Sequence, residues 1–152
     1  MTMLDDALTI TGRVQLELRD EYGRLKQLTE VPNLVHTMGK GVIAARMVAA
    51  QALPAVSHMA VGTGSIAPGA GDQTLQAEVA RIALTSTNVA AAVITYGASF
   101  GPGVGTGALQ EAGLFCNGTP GSGLPGLART TFAVINKAAG DTLNVSWTVT
   151  IG

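Results

Sequence analysis

The chain has 152 residues, room for one domain with a proper core, and its charged fraction of 12% is about half that of an ordinary soluble domain while apolar residues reach 47%. A formal net charge of −1 without a clustered basic face gives no field for gripping nucleic acid, and the single cysteine, Cys116, permits no internal disulfide. Every apolar run is broken by Gly, Ser, Thr or Pro short of the ~18 residues of a membrane span, and the acidic start from Met1 to Asp6 lacks the basic and apolar segments of a secretory signal, so the expectation is a protein made and assembled in a cytoplasm, without membrane or nucleic-acid partner.

Residues 1–9 read as an N-terminal arm of a single domain. Residues 13–19 then alternate, with Val14, Leu16 and Leu18 on one face and Arg13, Gln15, Glu17 and Arg19 on the other, the period of a half-buried strand. Asp20 to Gly23 supplies a turn, and Leu25 to Val31 returns as its hairpin partner until Pro32 removes a donor. From Thr37 to Gln51 the pattern predicts a helix, with Ile43, Met47 and Ala50 on one face and Gly39 and Gly41 weakening its first turn. His58 to Val61 reads as a short strand entering Gly62-Thr63-Gly64, Ser65 to Asp72 as a loop, and Leu75 to Ala80 as one helical turn.

Strands dominate the rest. Ile94, Tyr96, Ala98 and Phe100 alternate with Thr95, Gly97 and Ser99; Gly101 to Gly107 and Gly118 to Gly126 are glycine-rich loops; Glu111 to Cys116 and Leu127 to Ile135 are strands. In the last strand Leu143, Val145, Trp147, Val149 and Ile151 share one face, which makes Trp147, Val145 and Val149 the expected core anchors. Many short strands with glycine-rich turns predict a mainly β domain, a β-sandwich or jelly roll carrying one helix.

Catalytic and ligand-binding constellations are missing from the sequence. Val61-Gly62-Thr63-Gly64 and Gly103-Val104-Gly105-Thr106-Gly107 lack the Gly-Lys-Ser/Thr of a phosphate loop and the glycine spacing of a dinucleotide site, so both read as turns. His36 and His58, with one cysteine, do not make a zinc site, and each is expected to be hydrogen-bonded or exposed. No nucleophile elbow surrounds any serine. The carboxylates Glu78, Glu111 and Asp141 each have a basic residue to neutralise them, in Arg81, Arg129 and Lys137. Glu111 and Arg129 stand alone in uncharged strands, which makes them one buried, mutually neutralising pair. No catalytic role, cofactor or metal is expected.

The charges also cluster. Twelve of the nineteen lie within the first 46 residues, and none lies between Ile82 and Gln110. A monomer would struggle to solvate that stretch, so the expectation is a homo-oligomer, a dimer or trimer, with a surface meant for another protein.

Several spaced segments together resemble a known group. They are Asn33-Leu34-Val35, the glycine-rich helix, Ala60-Val61-Gly62-Thr63-Gly64, Leu75-x-x-Glu78-x-x-Arg81, Glu111-Ala112-Gly113-Leu114-Phe115, Leu127-Ala128-Arg129-x-x-Phe132 and the terminal Trp147 strand. In this order they resemble small structural proteins of tailed-phage virions, over roughly residues 10–152. The resemblance implies a particle component without catalytic function: a capsid decoration (cement) protein on the major capsid protein, or a tail, baseplate or fibre-adaptor subunit. A carbohydrate-binding β-sandwich module is the reading from another class, and the six aromatic residues leave it little to stack on a sugar.

Overall fold

A computed structural model describes residues 8–48, 53–122 and 126–152. In chain order its elements are β1 (Ile10–Arg19), β2 (Leu25–Pro32), β3 (Leu34–Val35), α1 (Thr37–Ala45), β4 (His58–Gly62) and β5 (Glu78–Ala83). They continue as β6 (Ser86–Ala90), β7 (Val93–Phe100), β8 (Gly107–Phe115), β9 (Gly126–Lys137) and β10 (Thr142–Ile151). These strands make a β-sandwich of two five-stranded antiparallel sheets, β2-β1-β10-β7-β6 and β3-β9-β8-β4-β5, not closed into a barrel.

The alternation in β1 and β10 builds the first layer. Antiparallel register sets Val14 beside Trp147, Leu16 beside Val145 and Leu18 beside Leu143, and all six side chains are buried. On the far side of β10, Phe100 and Ala98 of β7 stand opposite Leu143 and Val145. Met59 and Val61 of β4, Leu109, Ala112 and Leu114 of β8, and Ala128 and Ile135 of β9 close the core from the second sheet. The outward residues of β1 and β10 are polar, as the two-residue period requires.

The second sheet lacks this alternation from Glu111 to Phe115, where five successive residues are buried. Its inner face meets the core, and its outer face is covered by the loop between β4 and β5. Ala60, Leu75 and Phe115 form a small second core there. Gly113 makes room for it, since a Cβ at that position would lie 2.8 Å from the Phe115 ring and 3.0 Å from Leu75.

Four sequence expectations change. Leu75 to Ala80 is not helical: it is loop, then β5, because Ala60 and Met59 of β4 pair with Arg81 and Ile82 and long-range pairing outweighs local propensity. The helix α1 ends at Ala45 rather than Gln51. It packs through Gly39 against the Leu127 backbone and buries Val42 one turn later, but past its end Met47 is 86% exposed; residues 49–51 of the expected helix lie outside the described residues. The strand β6 was not anticipated, because all five of its residues are exposed and carry no burial period. Of the expected arm, residues 1–7 lie outside the described residues, while Thr9 already exchanges two backbone hydrogen bonds with Gly152 (3.2 and 2.8 Å) and so begins the sheet.

One backbone position is strained. The β6–β7 hairpin turns on Ala91 and Ala92, and Ala91 has φ +52°, the one positive value at a non-glycine among the described residues. The left-handed region costs an L-residue roughly 1–2 kcal/mol, and glycine enters it freely while losing about 0.4–1 kcal/mol more chain entropy on folding. Ala91→Gly is therefore expected to raise stability by about 0.5–1 kcal/mol. Ala92→Gly, at a negative φ, should lower it; comparing their urea midpoints checks the pair.

Candidate functional site

The polar residues of the second sheet's outer face converge on one carboxylate. Glu111 is completely buried, and both its oxygens are engaged. Its Oε1 accepts the backbone N–H groups of Gly64 (3.0 Å) and Ala77 (2.7 Å), and its Oε2 accepts that of Gln76 (2.9 Å). Arg129, adjacent in β9, donates Nε (3.1 Å) and Nη2 (2.9 Å) to the same Oε2. Its Nη2 also reaches the Ile66 carbonyl (2.9 Å) and its Nη1 reaches Asp72 Oδ2 (2.9 Å). The pair expected from sequence thus stands at contact distance, and it is the centre of a larger network.

That network accounts for the glycines of Val61-Gly62-Thr63-Gly64 differently from a turn. Neither Gly62 nor Gly64 has a positive φ. A Cβ on Gly62 would lie 2.6 Å from Glu111 Oε1, and one on Gly64 would lie 2.5 Å from it. Without a Cβ the glycines let backbone approach an anion closely, and the anion is the protein's own Glu111. The other glycine run does behave as a turn: Gly103, Gly105 and Gly107 all have positive φ, at 76°, 68° and 140°.

Arg81 forms a second clamp nearby. Its Nε and Nη2 bind the two Glu78 oxygens at 2.9 and 2.8 Å, its Nη1 donates to Asn117 Oδ1 at 3.0 Å, and its guanidinium lies 3.9 Å from the centre of the Phe115 ring. Glu78 Oε2 accepts the Gly121 N–H at 3.0 Å. The two arginines therefore tie two loops to one sheet face: residues 63–77 through Arg129 and Glu111, residues 117–121 through Arg81 and Glu78.

Asp141 departs from the expected pairing. Lys26 of β2 lies 2.6 Å from its Oδ2, while the buried Lys137 donates to the Gly101 carbonyl at 2.9 Å. Contact with Lys26 holds the Asp141 carboxyl below the usual carboxylate range. Sequence spacing favoured Lys137, but β9 turns that side chain toward the Gly101–Gly107 loop, and β2 brings Lys26 alongside.

The histidines differ from each other. His58 shares a 2.7 Å hydrogen bond between its Nδ1 and Ser57 Oγ. His36 corrects the expectation of a bonded or exposed ring: it is buried and neither ring nitrogen has a partner among the described residues. Burial, more than the opposing charges of Asp72 and Arg129, pushes its pKa down and favours the neutral ring. Burial likewise pushes the Cys116 thiol up to about 11, the protonated and unreactive form.

An open depression of about 380 Å³ lies over the network, lined by Ile66, Asp72, Gln73, Leu75, Gln76 and Arg129. Four of the five N–H groups on its Arg129 floor are already bonded within the protein, to Glu111, Asp72 and the Ile66 carbonyl. Among the described residues, no group of three or more His, Cys, Asp or Glu is placed to hold a metal ion. The arrangement restrains loops. No protein-family model, curated protein or solved structure matches the chain.

Proposed function

We propose that the protein is a structural subunit of a tailed-phage particle, a decoration (cement) protein that binds across joints between major capsid subunits. One observation carries the reading. The segments that resemble phage virion proteins, scattered from Ala60 to Arg129 in sequence, meet around Glu111, where Gly64, Gln76, Ala77 and Arg129 all bond to it. Gly64, Glu111 and Arg129 of those segments, with the backbone of Gln76 and Ala77 between Leu75 and Glu78, thus share one architectural job, the holding of the 63–77 loop on a rigid sheet face. A cement protein adds buried interface where the shell alone is weakly held, and loops fixed in advance lose little entropy on docking.

The carbohydrate reading has less support. Trp147, Phe100, Phe115 and Phe132 are buried and Tyr96 is half-buried. Tyr22, 74% exposed, is the remaining aromatic, and the Arg24 guanidinium already stacks 5.0 Å from its ring centre.

Mass spectrometry of purified particles from the encoding phage or induced prophage, calibrated against the major capsid protein, tests the proposal. On the order of hundreds of copies per particle is the expected result for a shell subunit, and about a dozen or fewer would move it to the tail, baseplate or fibre adaptor. Absence from particles would overturn the virion reading altogether.

A further inference from the structure

The edges of the sandwich are protected unequally. The outer strand β2 carries Lys26, Glu30 and Pro32, and its register against β1 slips between Leu18 and Arg19. The edge strand β5 carries Glu78 and Arg81 and slips against β4 between Val61 and Gly62. The edge strand β3 is two residues long. Charge, proline, irregular register and shortness are the devices that stop a sheet edge from recruiting another strand. The remaining edge, β6, has none of the first three: Ser86-Thr87-Asn88-Val89-Ala90 is uncharged, keeps unbroken register with β7, and exposes all five residues.

Its surroundings agree. The strand lies within the stretch from Ile82 to Gln110 that contains no charge. In a hairpin closed by the two residues Ala91 and Ala92, the pair Ala90–Val93 and alternate pairs beyond it bond inward to β7. Thr87 and Val89 therefore direct N–H and C=O away from the sheet. Their side chains line the rim of an apolar groove of about 310 Å³, shared with Val42, Ile43, Val56 and Tyr96, and Val89 is 66% exposed. Arg46, the charged side chain at this groove, points its guanidinium at the Leu53 carbonyl (3.4 Å).

We propose that β6 is an interface between two copies of this chain, paired antiparallel about a two-fold axis through Asn88, so that their first sheets become continuous. The inference rests on reading the chain as an assembly subunit, and it is independent of which particle part the subunit occupies. The strand is its own complement. With Asn88 on the axis, Thr87 of each copy faces Val89 of the other, and these pairs exchange about four backbone hydrogen bonds in all. Each Asn88 meets its own counterpart, and a carboxamide is both donor and acceptor, so two copies satisfy each other. A charged residue there would meet a like charge, and the strand has none. Such a contact is isologous and closes as a dimer.

Sedimentation velocity of the full chain between about 1 and 100 µM tests this, the range in which specific interfaces of modest size associate. The expected result is a dimer whose dissociation constant rises at least about ten-fold in Asn88→Lys, with circular dichroism and Trp147 emission unchanged. The axis also makes a covalent prediction. Opposed Cα atoms of a non-hydrogen-bonded antiparallel pair lie about 4.5 Å apart, within disulfide range, so mild oxidation of Asn88→Cys should give one cross-linked dimer. Wild type, whose Cys116 is buried, should give none. A monomer at the highest concentration, a trimer, or a dimer indifferent to Asn88→Lys and uncrosslinked in Asn88→Cys would overturn the proposal. If the wild type is monomeric and Asn88→Lys abolishes binding to particles, β6 accepts a strand from a capsid or tail protein instead, which also overturns it. A monomer that binds particles leaves the virion reading standing; a two-fold dimer absent from particles leaves only this interface.

Discussion

Glu111→Gln is expected to lower the free energy of unfolding by about 3–5 kcal/mol, and Arg129→Met by a similar amount, in chemical denaturation followed by circular dichroism. The carboxylate receives N–H donors on both oxygens, so an amide nitrogen in either place confronts a donor with a donor. It also leaves the Arg129 guanidinium, 4% exposed, with Asp72 as its one remaining carboxylate partner. The double variant should cost less than the sum of the singles, with a coupling of roughly 0.5–3 kcal/mol for groups in direct contact. Strictly additive losses would mean that the two do not meet in solution. Taken as an isolated pair, the two residues could both be replaced by apolar side chains at small cost. The network argues otherwise, since an apolar residue at 111 strands the N–H groups of Gly64, Gln76 and Ala77, each at about 1–3 kcal/mol. The apolar double variant should therefore remain clearly less stable than wild type.

Trp147→Ala should be as damaging, with a loss of about 3–5 kcal/mol for a large side chain removed from a packed core. Trp147 has no exposed surface, and register puts it between Val14 of β1 and Tyr96 of β7. Its neighbours come from two flanking strands fixed by their own ladders, so the site cannot collapse cheaply around the void. The indole Nε1 has no partner among the described residues, so the residue contributes through packing rather than a hydrogen bond. As the single tryptophan, it also reports on itself: folded protein should emit at short wavelength and shift to the red on unfolding. Emission like that of a water-exposed indole in the native protein would put the ring on the wrong face of β10.

The core faces of β1, β7 and β10 were legible residue by residue, because alternation is a property of one strand and needs no knowledge of its neighbours. The Glu111–Arg129 pair was legible for a different reason, the cost of leaving a lone charge in apolar sequence. Spacing was an uneven guide: Arg81 does clamp Glu78 three residues away, but Asp141 took Lys26 across 115 residues rather than Lys137 beside it. The network around Glu111 was out of reach for the same reason. A carboxylate can accept from any backbone N–H, and nothing local marks Gly64, Gln76 and Ala77 as the ones that a loop closure brings within 3.0 Å. Composition and alternation, both local, were enough to determine a β-sandwich with Trp147 in its core. The tertiary structure alone decided that Gly62 and Gly64 serve a buried anion rather than a turn, that residues 75–80 enter a strand, and that β6 is the unguarded edge, because each depends on which distant backbone arrives alongside and that choice is made by the whole chain's packing.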